Sequence, residues 1–291
     1  MRGRTVISPP DRPSPRPSPA LREREKTVEE NVTQTSQAWT ESFVEVAKGK
    51  VHLLKGGTGE PLLILHRDVG NPGWLPFYED LAQRFTVYVP SHPGFDKSDR
   101  PEWMRNVRDL AIVYQWLLKE LQLVTLSLVG LGFGGWIAAE MATMCHHQCK
   151  RLVLVSAMGM QPTRGEILDQ FLIYTTDYIK AGFSDQRKFA QLYGGEPDID
   201  QLVTWESNRE MTTRIAWKPY MFNQALPFLL PGIETPTLIV WGKEDRIAPV
   251  NCGERYMQAL PHAQLVVLDR CGHFVEIEKP DELAKLIREF I

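Results

Sequence analysis

Short, continuous apolar runs recur along this chain, separated by stretches with apolar residues at helical spacing. Pro61–Leu65, Phe85–Val89, Val124–Val129, Arg151–Val155, Thr237–Trp241 and Gln264–Leu268 each read as a strand. Runs of this kind, apolar at successive positions, suit strands buried on both faces in a parallel sheet. Nearer the start, Phe43–Val46 and Val51–Leu54 flank Lys48-Gly49-Lys50 and predict a hairpin, with order beginning near Ser42. The helical pattern falls on Pro76–Arg84, Val107–Leu121, Ile137–Ala142, Cys252–Leu260 and Pro280–Ile291. Strand and helix alternating in this way predict an α/β fold, doubly wound around a mostly parallel eight-stranded sheet.

Two stretches break the alternation. Residues 1–40 are dense in Pro, Ser and Arg and then carry Arg22-Glu23-Arg24-Glu25-Lys26, so they predict a disordered tail. A targeting peptide fits less well because of the acidic residues, and an upstream extension from a misplaced start codon is a further reading. Residues 161–231 are aromatic and helical without intervening strands, which predicts a helical cap inserted into a core of residues 41–160 and 232–291. Such a cap excludes water and shapes a pocket. Most of its aromatics serve its own packing.

The densest chemistry lies at Leu128-Val129-Gly130-Leu131-Gly132-Phe133-Gly134-Gly135-Trp136, between a strand and a helix. Strand, glycine-dense turn and helix form the frame of a nucleophile elbow, whose pattern is Gly-x-Ser-x-Gly. The central position demands positive φ, and its neighbours come too close for side chains. Here the centre is Gly132, which supplies no oxygen. The same glycines nearly fit the dinucleotide pattern Gly-x-Gly-x-x-Gly. That turn belongs after the first strand of its domain, whereas this one follows several.

Two further residues fall at the same sheet edge. Trp241-Gly242-Lys243-Glu244-Asp245 places Asp245 just past a strand, and Cys271-Gly272-His273-Phe274 places His273 just past the next. Open α/β sheets bind ligands at the carboxyl ends of their strands. The chain order, elbow then acid then histidine, is that of hydrolases built on this sheet.

Composition narrows the field. With 43% hydrophobic and 24% charged residues the chain is ordinary for a globular protein, and a net charge of −3 gives no basic field for nucleic acid. No apolar run is long enough to span a bilayer, no secretory signal is visible, and the four cysteines suit reduced thiols. The expectation is a cytoplasmic protein with a small-molecule ligand, no nucleic-acid or membrane partner, and a possible homo-oligomer.

Taken together, His66 after the third strand, Pro93-Gly94-Phe95-Asp96-Lys97-Ser98, the elbow, Trp241-Gly242-Lys243-Glu244-Asp245 and Gly272-His273-Phe274 resemble the α/β-hydrolase superfamily. The resemblance is to its epoxide-hydrolase-like and carbon–carbon-bond-hydrolase-like branch with a helical cap, over about residues 43–291. It implies Asp245 as the orienting acid, His273 as the base, and an oxyanion hole from the backbone N–H groups of Phe133 and Arg67. His66 and Asp68 would line the pocket. No cofactor or metal is implied.

Two departures fall inside that site. Gly132 stands at the nucleophile position, and Arg67 stands where the family usually has glycine, able to narrow the hole or to bind an anionic group. Ser127, Ser156 and Cys271, taken as half-buried, read as structural rather than as replacement nucleophiles. So do Cys145 and Cys149, whose spacing also permits zinc, and His92, a loop residue. Glu276 and Glu278 read as a solvated face. Three functions stay open. One is a hydrolase or lyase-like enzyme on an ester, lactone or diketone, using a His273–Asp245 dyad without serine. Another is a catalytically silent ligand-binding or interaction protein, and the last an engineered nucleophile-minus hydrolase.

Overall fold

The computed structural model describes residues 39–291, and the expected tail up to residue 38 lies outside them. Eight strands form one sheet: β1 (Trp39–Val46), β2 (Gly49–Gly56), β3 (Glu60–Leu65), β4 (Phe85–Pro90), β5 (Leu126–Leu131), β6 (Cys149–Val155), β7 (Thr237–Gly242) and β8 (Ala263–Leu268). Their order is β1-β2-β4-β3-β5-β6-β7-β8, antiparallel from β1 to β4 and parallel from there onward. The hairpin is longer than its apolar core suggests and begins at Trp39, inside the stretch read as tail.

The continuous apolar runs are buried on both faces, and the two-residue strand period sorts them. Leu63, Leu65, Leu128, Leu152 and Leu154 enter one core, while Leu62, Ile64, Val129, Val153 and Val155 enter the other. One layer holds α2 (Val107–Glu120) and α3 (Phe133–Cys145), the other α1 (Pro76–Ala82) and α10 (Pro280–Phe290). Asn106 starts α2 with a capping box closed by Asp109.

A helical segment stands between β6 and β7. It comprises α4 (Thr175–Ala181), α5 (Gln186–Tyr193), α6 (Ile199–Ala216) and α7 (Leu226–Leu229). Asp185 and Asp198 cap α5 and α6, and Gly194 ends α5 in the left-handed region that glycine tolerates. Asn208 fastens α6 to the loops that follow β3 and β4. Its amide donates to the Val69 carbonyl at 3.1 Å and to Asp96 Oδ1 at 2.9 Å, and its oxygen accepts the Asp96 N–H at 2.9 Å. The remaining helices are α8 (Asn251–Ala259) and the short α9 (Val275–Glu278). No helix among the described residues is long and apolar enough to cross a membrane.

Candidate active site

The strand-to-helix turn has the geometry its glycines demand. Gly132 sits at φ +52°, its N–H donates to the Val155 carbonyl at 2.9 Å, and its carbonyl accepts the Gly135 N–H at 3.0 Å. Gly130 and Gly134 sit where a Cβ would strike the backbone of Gly135 and of Leu65 and His66. The helix α3 begins at Phe133, four residues earlier than its apolar pattern suggested, because the turn consumes only Gly132. Phe133 therefore carries one of the first N–H groups of the helix, which have no intrahelical acceptor.

His273 and Asp245 meet as the chain order implied. His273 Nδ1 lies 2.8 Å from Asp245 Oδ2, and both side chains are buried. The other oxygen, Oδ1, accepts the N–H groups of Ile247 and Ala248 at 2.9 and 2.8 Å. An ionised carboxylate only accepts, so Nδ1 carries the proton and Nε2 presents its lone pair. That Nε2 has no protein partner, and a Cβ added to Gly132 would lie 3.0 Å from it. The His273 backbone N–H is held by the Gly182 carbonyl at 2.7 Å, at the end of cap helix α4.

Arg67 occupies the space a nucleophile would need. Its side chain is buried, and its Nη1 would lie 2.7 Å from a Cβ at position 132. The guanidinium forks onto Glu276, with Nε to Oε1 at 2.7 Å and Nη2 to Oε2 at 2.6 Å. Its third corner, Nη1, has no protein partner. Burial alone would lower the Arg67 pKa, but Glu276, with Asp245 and Asp68 behind it, carries it above its ordinary value. Arg67 is therefore a fixed cation.

Glu276 was missed as a site residue. The reading of Glu276 and Glu278 as a solvated face is corrected: they are 4% and 8% exposed. Both lie on α9, and Glu278 accepts the N–H groups of Gly272 at 2.5 Å and Asp185 at 2.7 Å. The sequence held one signal. An arginine replacing glycine beside a buried elbow must find a carboxylate, since an unpaired buried charge is costly.

The other expected residues divide between the site and its frame. Asp68 is buried, and Tyr178 donates to its Oδ2 at 2.8 Å and Gln170 at 3.3 Å. His66 is locked by the main chain. Its Nδ1 donates to the Arg67 carbonyl at 2.6 Å and its Nε2 accepts the His92 N–H at 2.7 Å. His92 stacks on it at 3.6 Å between ring centroids, and burial holds both imidazoles below their usual pKa. Cys271 is fully buried rather than half-buried, which pushes its thiol pKa up. Ser127 is buried within β5, and Ser156 follows β6 at φ +45° with its hydroxyl buried. Cys145 and Cys149 are partly buried, and no group of three His, Cys, Asp or Glu among the described residues could hold a metal ion.

The sheet and its strand-to-helix elbow are those of a hydrolase-type scaffold, and the family model described as the alpha/beta hydrolase family matches residues 62–286. The chain belongs to that family. It is 26% identical over 290 residues to a 2-hydroxy-6-oxononadienedioate/2-hydroxy-6-oxononatrienedioate hydrolase of Dechloromonas aromatica, covering 89% of this chain and 99% of that one. It is 25% identical over 260 residues to a 2-hydroxy-6-oxo-2,4-heptadienoate hydrolase of Pseudomonas putida, covering 81% and 90%. Among solved structures, a bacterial membrane phospholipase A superposes with a TM-score of 0.76 at 26% identity, over 87% of this chain and 86% of that one.

Proposed function

We propose that this protein is a hydrolase-type enzyme acting on a small carbonyl compound that carries an anionic group, with His273 as general base and no acyl-enzyme. The observation that carries this reading is the convergence at Gly132. The unpartnered Nε2 of His273 and the unpartnered Nη1 of Arg67 face the same point, where no side chain intervenes.

Asp245 fixes the His273 tautomer and stabilises the imidazolium that forms when Nε2 takes a proton. The proton comes from water, which then attacks the carbonyl, or from a substrate hydroxyl. Arg67 supplies a permanent positive charge beside the developing oxyanion. The relatives' names denote oxo-carboxylates with a 2-hydroxy group, so they offer a carbonyl, an acidic hydroxyl and an anion in one molecule. The test is the decay of the conjugated chromophore of a 2-hydroxy-6-oxo-dienoate, compared between the protein and His273→Ala. A protein no faster than His273→Ala would falsify the assignment.

A second reading, a silent ligand-binding protein on the same scaffold, is favoured by one observation. The Arg67 guanidinium, clamped by Glu276, fills the space directly in front of Gly132. Under that reading the same dienoate raises the melting temperature without being consumed.

A further inference from the structure

A second hydrogen-bonded relay lies on the far edge of the sheet, in a cleft of about 480 Å³ between the β1–β2 hairpin and α6. His52 of β2 and Ser91, both buried, are among its lining residues. His52 Nε2 lies 2.7 Å from Glu41 Oε1, and its Nδ1 lies 2.9 Å from Ser91 Oγ. The direction of this chain follows from the acceptors. Glu41 also binds Lys97 at 2.5 Å, and its hydrogen bonds to Lys97 and then His52 hold its pKa below the usual carboxylate value. As an ionised carboxylate it only accepts, so His52 Nε2 carries a proton toward it. In the neutral imidazole the other nitrogen, Nδ1, offers a lone pair to which the Ser91 hydroxyl donates.

Hydroxyl to imidazole to carboxylate is the arrangement that activates a serine. The ring nitrogens are exchanged relative to His273, whose Nδ1 faces its carboxylate. Ser91 also has a fixed backbone, with its N–H on the His52 carbonyl at 2.9 Å and its carbonyl accepting Ser98 Oγ at 2.8 Å. Leu54 and Trp205 give the cleft apolar walls, and Asn71 brings an amide to its lining. Those walls suit a short acyl chain.

We propose that Ser91 is an activated nucleophile, and that the Ser91–His52–Glu41 cleft is a second site, accepting acyl groups from small esters. Ser91 Oγ bonds to the ester carbonyl carbon while its proton passes to His52 Nδ1. The carbon–oxygen bond to the alcohol breaks, and the departing alcohol takes that proton. Water repeats the sequence, losing a proton to Nδ1 and releasing the acid, with the proton returning to Ser91 Oγ.

The missing serine at position 132 makes the test clean, because the family's own nucleophile position cannot react. The full chain is treated with a fluorophosphonate, digested, and the adduct located by mass spectrometry. Steady-state hydrolysis of 4-nitrophenyl acetate is measured alongside. The expected result is an adduct on Ser91, lost in Ser91→Ala, with labelling and hydrolysis slowed at least about 100-fold in His52→Gln. Circular dichroism and melting curves establish that both variants fold. His273→Ala separates the two sites, since it removes turnover assigned to His273 while the Ser91 adduct persists. No adduct on Ser91, or ester hydrolysis equal in Ser91→Ala and the parent, overturns the proposal.

Discussion

Arg67 and Glu276, 209 positions apart, form a two-pronged ion pair at 2.7 and 2.6 Å directly in front of the glycine at the elbow. Both side chains are out of solvent. Removing one partner leaves the other charge buried and uncompensated, at a cost of about 3–5 kcal/mol. Glu276→Gln and Arg67→Ala should each lower the unfolding free energy by that amount, read as a lower urea midpoint at unchanged m. Replacing both with Met should recover most of the loss, because well-packed apolar residues often equal or exceed a buried pair. Denaturant titrations of the three variants check this, and a double variant as weak as either single one contradicts it.

The same pair predicts how the elbow responds to a serine. A Cβ at position 132 would lie 2.7 Å from Arg67 Nη1 and 3.0 Å from His273 Nε2, at a φ of +52° that itself costs a non-glycine residue about 1–3 kcal/mol. Gly132→Ser alone should therefore be destabilised and should gain no His273-dependent esterase activity. Gly132→Ser combined with Arg67→Gly and Glu276→Gln clears the space and removes the orphaned acid. That triple variant should show a burst of 4-nitrophenol with Ser91→Ala as its background. If the single variant gives the full burst, Arg67 does not obstruct the site.

Much of this was legible in the sequence because it is local. Leu62 to Leu65 and Leu152 to Val155 are apolar at successive positions, and such a run has few places to go but a sheet covered on both faces. Gly132, Asp245 and His273 each follow a strand, so their meeting at one edge follows from topology. Glu276 was not legible. Val275-Glu276-Ile277-Glu278 alternates like a strand or a wetted turn, and only the tertiary position of α9 turns both acids inward. The Ser91–His52–Glu41 relay was equally hidden, since it needs the register of the hairpin and the chain reversal after β4.

Two buried histidines set a pH dependence of stability. Burial lowers the pKa of His66 and His92 in the folded state, so the unfolded chain binds more protons than the folded one below its own value of about 6.5. Their contribution is complete above that pH and is lost as pH falls through it, each adding a slope that approaches about 1.4 kcal/mol per unit. Urea midpoints at pH 7.5, 6.5 and 5.5 should fall along that series. His92→Gln should flatten the decline, and an unchanged slope in that variant would assign it to other groups.

Asn208 is the third point of leverage. It is fully buried and makes three hydrogen bonds that tie α6 to the loops after β3 and β4. Asn208→Ala should cost about 1–3 kcal/mol by leaving the Val69 carbonyl and Asp96 without their partner. Hydrogen exchange should localise the loss to α6 and residues 69–96. Uniform loss across the sheet would mean that the cap and core do not loosen separately.

Gly182 carries a last consequence. Its carbonyl holds the His273 N–H at 2.7 Å, and a Cβ there would collide with the Phe274 ring. His273 is thus suspended from α4 as well as from the loop after β8. Exchanging the helices between β6 and β7 with those of another family member would here transplant one of the histidine's own anchors. A chimera keeps His273 in register only if the donor brings a glycine to that spot with its carbonyl turned inward, so graft boundaries belong outside residues 179–184.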